Sequence, residues 1–317
     1  MSSPTPNTTI QRPDLGETLV QLDLEASRQG FRGLEIMTVK EVPLQAANVG
    51  RIKLESLLSD GDTSRAPDGT YNEDRYDFDE FFYATQDRGW KVPVDDRLRL
   101  MYRRFFDAEV VASQRARDKV LRDLEKRICS KLTNTGTYTS VAATAALSSK
   151  SSASIVADVH ARLKAVRAAC GIIPNTVAMD WDAFVSASET DEVIDRIKFA
   201  GIDDPKNVTM NAMASLFKVD QVVVFGGQRN SANPKQARNL TSLWDKTIIG
   251  VGVVARGEDI IAPCVGRTFH WSEDGSDIGA TIEQYYDDDA RGWKYRARMD
   301  VDERVYYPET WQLITGN

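Results

Sequence analysis

The spacing of apolar positions changes several times along the chain, and each change marks an element. After a start rich in Pro, Ser and Thr over residues 1–13, Leu15, Leu19, Leu22 and Ala26 share one face of a helix. Asp14 can cap that helix, and Gly30 and Gly33 end it. A strand is expected over Leu34–Val42. From Arg51 to Leu58 the period falls to two, with Ile52, Leu54 and Leu58 opposite Arg51, Lys53 and Glu55. Turn-forming residues fill Ser59–Asn72. Alternation returns over Asp74–Tyr83, where Tyr76, Phe78 and Phe82 share a face. The two runs predict a long hairpin with a large tip, closed by Pro93. It is too aromatic for a linker and too short to own a core, so it is expected to lie on something else.

From Asp95 or Asp96 to Leu132 the helical period takes over. Leu98, Tyr102, Phe105, Ala112, Ala116, Val120, Leu124 and Ile128 recur every three or four positions. One unbroken helix of this length would reach about 55 Å. Residues 133–153 are small and polar and read as a linker with a weak strand or turn. A helix follows over Ser154–Ala169, and from Gly171 helices and strands alternate. Strands are expected at Asn175–Met179, Gln221–Phe225, Thr247–Val254 and Arg267–Trp271. Helices are expected at Trp181–Phe199, ending at Gly201, and at Met210–Phe217, capped by Thr209. Gly226–Asn239 reads as a loop. Toward the end Trp293, Tyr295, Ala297 and Met299 oppose Lys294, Arg296 and Arg298, before a final strand near Asp302–Tyr307 and the apolar Trp311, Leu313 and Ile314.

Composition narrows the function classes. The 317 residues are 42% hydrophobic and 27% charged, enough to bury a core without disulfides or metals. The net charge of −7 weighs against a duplex-DNA binder that works by bulk charge. No apolar run approaches membrane-spanning length, and MSSPTPNTTIQRPD has neither the basic nor the apolar region of a secretory signal. Cys129, Cys170 and Cys264 are far apart and read as reduced thiols.

Candidate chemistry is sparse. Gly250, Gly252 and Ala255 match a GxGxxA fingerprint, but the residues that follow cannot build the helix a dinucleotide site needs. A strand with close backbone packing is the better reading. Asp60, Asp62 and Ser64 open like a calcium loop, yet Arg65 and Tyr71 stand where a glycine and an acid belong. Asp287, Asp288 and Asp289 read as a charged turn. His160 and His270 are the only histidines, and neither has a sequence-near partner. No cofactor, metal or catalytic residue is expected, and the chain is not read as an enzyme.

Charge distribution says more. Residues 97–131 hold eleven basic and five acidic side chains, a net of +6, which leaves −13 for the rest. Residues 59–82 hold eight acids against Arg65 and Arg75, a net of −6. Three readings stay open: two solvated faces, an acidic arm docking on the basic helix of a neighbouring subunit, or a basic helix facing a polyanion such as DNA.

Six stretches, in this order, carry a resemblance. They are Arg65–Asp96, Phe106–Ile128, Pro174–Gly201, Phe217–Gly227, Ser242–Val254 and the closing GWKYRARMDVDERVYYPETWQLITGN. Together they resemble a tailed-bacteriophage major capsid protein of the Hong Kong 97-like fold, across nearly the whole chain. The resemblance implies an α+β fold with an N-terminal arm (1–33), a peripheral-domain strand (34–48) and an E-loop (49–93). A peripheral domain with a spine helix at about 95–132 follows (94–170), then an axial α/β domain (171–289) and peripheral return strands (290–317). It implies a structural subunit that self-assembles through hexamers and pentamers into an icosahedral shell around double-stranded DNA, bound without sequence specificity. The shell would be assembled in the host bacterial cytoplasm and reside in the virion, with no membrane.

Expected partners are further copies of the chain, a scaffolding protein, a portal and a decoration protein. Residues 1–48 are too few for a removable scaffolding domain, which implies a separate one. Lys53 and Lys91 flank the E-loop with no lysine between them, so the covalent cross-link of some relatives is not expected. Inter-subunit residues expected on the E-loop are Asp60, Asp62, Arg65, Asp68, Tyr71, Glu73, Asp74, Asp77, Asp79 and Glu80. On the spine helix they are Arg99, Arg103, Arg104, Arg115, Arg122 and Lys126, and near the capsomer axis Arg229, Lys235 and Arg238. The rival readings are an encapsulin-like compartment shell and, from another class, a cytosolic α/β enzyme.

Overall fold

A computed structural model describes residues 10–11, 30–65, 67–73, 77–102, 107–199, 209–233, 236–257 and 262–316. The helix expected over Leu15–Gln29 lies outside the described residues. In chain order the first elements are β1 (Ile10–Gln11), α1 (Gly33–Ile36), β2 (Val39–Val42), β3 (Ala46–Ile52), α2 (Leu54–Leu57), β4 (Phe78–Ala84) and β5 (Gln86–Asp95). Next come α3 (Asp96–Tyr102), α4 (Ala108–Leu132), β6 (Thr139–Ala142), α5 (Ile155–Cys170), β7 (Thr176–Asp180), α6 (Trp181–Ser188), α7 (Asp191–Phe199) and α8 (Met210–Phe217). The remainder is β8 (Gln221–Phe225), β9 (Gln228–Asn230), β10 (Leu240–Ser242), β11 (Ile248–Gly252), β12 (Gly266–Trp271), β13 (Thr281–Asp287), β14 (Gly292–Val305) and β15 (Trp311–Thr315).

Two sheets organise these elements. The first runs β1-β13-β14-β12-β2, with β5 also paired to β14. Ala116, Val120, Leu124 and Ile128 of α4 share one core with Ala297, Met299 and Val301 of β14. The second runs β6-β15-β11-β7-β8. Every residue of β7 is buried because both faces of this sheet are covered. Ala178 and Phe225 join the core of α4, while Val177 and Val224 face the core that the flanking helices share. Trp311 sits at the seam, fully buried, and its indole N–H donates to the Leu132 carbonyl at 3.1 Å. A Cβ on Gly250 would collide with the Trp311 ring, and one on Gly252 with the Thr310 carbonyl. The GxGxxA match is therefore a packing feature, as expected.

Several elements differ from expectation for identifiable reasons. The long helix is not continuous. Asp107 adopts an extended backbone and its carboxylate accepts from the Glu109 N–H, starting α4 afresh. The 25 residues of α4 span about 37 Å. The first hairpin strand is Ala46–Ile52, and residues 54–57 turn into α2 because Leu54 is drawn onto Val166 and Cys170 of α5. Pro93 does not end the hairpin. It lies inside β5 opposite Lys294, and β5 is an edge strand where the missing N–H costs no ladder bond. Leu34–Ile36 is helical, leaving only Val39–Val42 as strand. Thr190, fully buried, donates its hydroxyl to Ala187 and divides the helix expected over Trp181–Phe199. Residues 133–153 hold the weak strand expected there, β6, which pairs with β15, but they are more than a linker because Tyr138, Leu147 and Ala153 are buried. The expected loop at 226–239 contains β9, hairpinned with β10.

The sheets also cut across the expected segment boundaries. β12 and β13, from the expected axial segment, pair with β14. β15, from the expected return strands, pairs with β11 of the second sheet.

Candidate functional site

The hairpin of β3 and β4 lays one face on the first sheet and leaves the other open, and its register sorts its side chains. Ala47 faces Tyr83, Val49 faces Phe81 and Arg51 faces Asp79. This face is the root of the hairpin's attachment. Tyr83 stacks on Phe269 at 4.6 Å and Phe81 meets Tyr306 edge-on at 4.6 Å. The Tyr307 hydroxyl donates to the Ile52 carbonyl at 2.8 Å. Arg51 pairs with Asp79 at 2.6 Å, and hydrogen bonding and charge from Arg51 hold the Asp79 carboxyl below its ordinary range. Lys53 pairs with Asp77, whose hydrogen bond and charge raise the lysine.

The opposite face carries Asn48, Gly50 and Ile52 against Phe82, Glu80 and Phe78. Phe78 is 63% and Phe82 54% exposed, and a Cβ on Gly50 would meet nothing. The alternation over 74–83 foretold this aromatic face; Tyr76 and Asp74 lie outside the described residues. At the tip Asp62 accepts from the Ser64 N–H, which lowers its carboxyl, and Asn72 donates to the Asp62 carbonyl at 2.8 Å. These bonds make a local turn of the segment that opened like a calcium loop. Arg65 lies over the Tyr71 ring at 5.0 Å. Asp60, Asp68 and Glu73 are exposed and form no ion pair among the described residues.

The basic residues of α4 separate into two sets. One set is turned inward. Arg117 donates to the Gly279 carbonyl at 2.6 Å, Arg127 binds Glu303 at 2.8 Å and Lys131 approaches it at 3.7 Å. The other set follows a second stripe at helical spacing, with Arg115, Lys119 and Lys126 exposed and Arg122 half-buried, its Nε out of solvent. Lys119 lies over the half-exposed Trp90 ring at 5.6 Å, and Arg122 over Phe31 at 5.7 Å. Arg99 of α3 pairs with Glu109 across the interruption. Arg103 and Arg104 lie outside the described residues. Arg229 and Arg238 are exposed on the β9–β10 segment, and Lys235 lies outside the described residues.

Part of the charge complementarity expected between hairpin and helix is therefore spent inside the subunit. Asp77 and Asp79 answer Lys53 and Arg51, and Arg127 and Lys131 answer Glu303. The sequence reading missed Glu125. It is buried on α4 and accepts from the Arg32 and Gly33 N–H groups at 2.9 Å. Burial pushes its carboxyl to about 7, against the lowering effect of those N–H groups. A Cβ on Gly33 would sit 2.6 Å from the Glu125 Oε2, so glycine there permits the contact. Only the glycine was visible beforehand, as a helix stop.

The remaining candidates resolve structurally. Asp287 accepts from the Asp289 and Ala290 N–H groups and pairs with Lys294, closing the β13–β14 turn. His160 Nε2 bonds the Leu216 carbonyl at 3.1 Å, and His270 is buried beside Ser276. Among the described residues no group of acids, histidines and cysteines could hold a metal, and no helix is long and apolar enough to cross a membrane.

No protein-family model and no curated protein matches the sequence. Solved structures do match its fold. A phage-related protein from Bordetella bronchiseptica is 16% identical over 98% of each chain, with a TM-score of 0.66. The capsid of cyanophage P-SCSP1u is 12% identical, covering 88% of this chain and 86% of that one, with a TM-score of 0.55. The encapsulin complex of Synechococcus elongatus is 9% identical, covering 89% and 86%, with a TM-score of 0.54. The chain has the α+β, Hong Kong 97-like fold of these structures, as the order of its sequence elements implied.

Proposed function

We propose that the chain is a major capsid subunit of a tailed bacteriophage, assembling through hexamers and pentamers into a closed icosahedral shell around double-stranded DNA. The observation that carries this reading is the uncovered face and tip of the hairpin. Its outer face exposes Phe78 and Phe82 and its tip exposes Tyr71, with no covering surface among the described residues beyond Arg65 over the Tyr71 ring. Exposed aromatic side chains gathered on the open face of a ribbon mark a partner surface. In a subunit of this fold the partner is another copy. Many modest contacts repeated by symmetry then give a stable closed shell.

In this reading Asp60, Asp62 and Glu80 face the outer side of a neighbour's helix at Arg115, Arg122 and Lys126. Arg229, Lys235 and Arg238 line the capsomer axis. The chain works as structure and carries out no catalysis. A scaffolding protein and a portal guide its assembly in the host cytoplasm, a decoration protein joins the finished shell, and the DNA is enclosed without sequence recognition. Arg115→Glu with Lys126→Glu is expected to cut particle yield at unchanged subunit melting temperature; normal yield would refute this interface.

The likeness to an encapsulin favours one second reading, a compartment shell. Particles from the native host separate the two. Nuclease-protected DNA supports the virion reading, and a co-purifying cargo protein without DNA supports the compartment.

A further inference from the structure

The C-terminal turns of α5, the loop into β7 and the end of α8 line an open, shallow pocket of about 330 Å³. Its apolar lining is Leu163, Ile173 and Pro174, and Ile173 is 72% exposed. Its other lining residues, Lys164, Arg167, Lys218 and His160, are all basic or neutral, and no acid lines it. None of the four forms an ion pair among the described residues. Cations often gather at helix ends to offset carbonyl dipoles. Here those ends already have donors: the Gly171 N–H bonds the Arg167 carbonyl at 2.8 Å, and the Lys218 N–H bonds the Ser215 carbonyl at 3.2 Å. The site therefore suits an aromatic side chain flanked by carboxylates.

The hairpin tip presents that combination. Tyr71 is 70% exposed, and Asp68 and Glu73, close to it in the chain, have no ion pair among the described residues. The pocket also adjoins the root of its own subunit's hairpin. Leu54 packs with Val166 and Cys170, and Leu58 occupies the space a Cβ on Gly171 would need. We propose that this pocket receives the hairpin tip of a neighbouring copy, with Tyr71 on the apolar lining and Asp68 and Glu73 against Lys164, Arg167 and Lys218. Each subunit then offers a receptor beside the root of its own hairpin. Such a head-to-tail contact closes into a ring when the rotation between copies allows. The inference rests on the shell reading and names the surface that takes the arm.

The test uses assembled full-length protein. The native cysteines are all fully buried, so Thr70→Cys and Ala168→Cys, both at exposed neighbours of the contact, place the only exposed thiols and leave Tyr71 and Ile173 intact. Treating particles of the double variant with a short bismaleimide linker is expected to give a ladder of covalent oligomers on a denaturing gel, absent from either single variant. Adding Lys164→Glu and Arg167→Glu should lower the linked fraction about ten-fold or more, because like charges would then meet. Adding Asp68→Lys and Glu73→Lys as well should restore it. Intact particles without a ladder, or a ladder indifferent to both charge changes, would overturn the pocket while leaving the shell reading in place. Failure of the unmodified chain to form particles would remove both.

Discussion

Replacing Arg127 by Met should destabilise the subunit by about 3 kcal/mol at pH 7. Glu303 is 3% exposed on β14, and it depends on two cations from α4. Arg127 binds it through Nε at 3.1 Å and Nη2 at 2.8 Å, and Lys131 stands at 3.7 Å. Stranding a buried carboxylate by deleting its partner costs about 3–5 kcal/mol. The lower end applies here, since Lys131 remains and Arg127 keeps 17% of its side-chain surface in solvent. Combining Arg127→Met with Glu303→Met removes both charges, and the pair should return to within about 1 kcal/mol of the parent.

Urea denaturation of the unassembled subunit reads this as a shift in midpoint at constant slope. Burial works to raise the Glu303 carboxyl, but Arg127 by hydrogen bond and charge, and Lys131 by charge, hold it below its ordinary value. Its stabilisation is therefore present above the unfolded value of about 4.3 and is lost as pH falls through the lower folded one. In the Arg127→Met variant burial prevails and the carboxyl rises, so the penalty should be largest near neutrality and shrink toward pH 4. A single-variant loss below about 0.5 kcal/mol, or a gap independent of pH, would refute the reasoning.

Other consequences follow from the same packing. Gly250→Ala forces a methyl into the Trp311 ring and should cost about 1–3 kcal/mol in the same assay; an unchanged midpoint would contradict the seam described above. Deleting residues 59–72 should leave soluble capsomers but lower the melting temperature of the shells, and shells as heat-stable as the parent would contradict the docking role. Burial raises all three thiols, so Cys129, Cys170 and Cys264 should resist a thiol reagent in the native protein and react after denaturation. Rapid native labelling would contradict their placement.

Most of the elements were legible because their signals are local. Thr209 caps α8 through its hydroxyl, accepting from the Ala212 N–H at 3.3 Å. The apolar stripe of α4 and the aromatic face of β4 are plain periodicities. What was hidden depends on residues distant in sequence. The alternation at 51–58 fits a strand or a helical turn equally well, and Leu54 settles it by packing on α5. The interruption of the long helix is marked by the extended backbone of Asp107, inside a sequence pattern that reads as helical throughout. β13 was missed because its Asp-rich end reads as a turn, and its pairing with β14 becomes visible only in three dimensions. The candidate surfaces were legible as runs of charge but not as pairs. Nothing in the sequence says that Asp79 meets Arg51 or that Arg127 meets Glu303, so the charge left for a neighbour is smaller than the counts imply.

The central claim is that this subunit builds a closed lattice. Negative-stain electron microscopy of the purified full-length protein, with light scattering on the same sample, tests it most directly. The account predicts shells, tubes, or rings of five or six subunits. A monodisperse monomer or dimer, both alone and when produced together with the proteins encoded beside it, would contradict the account.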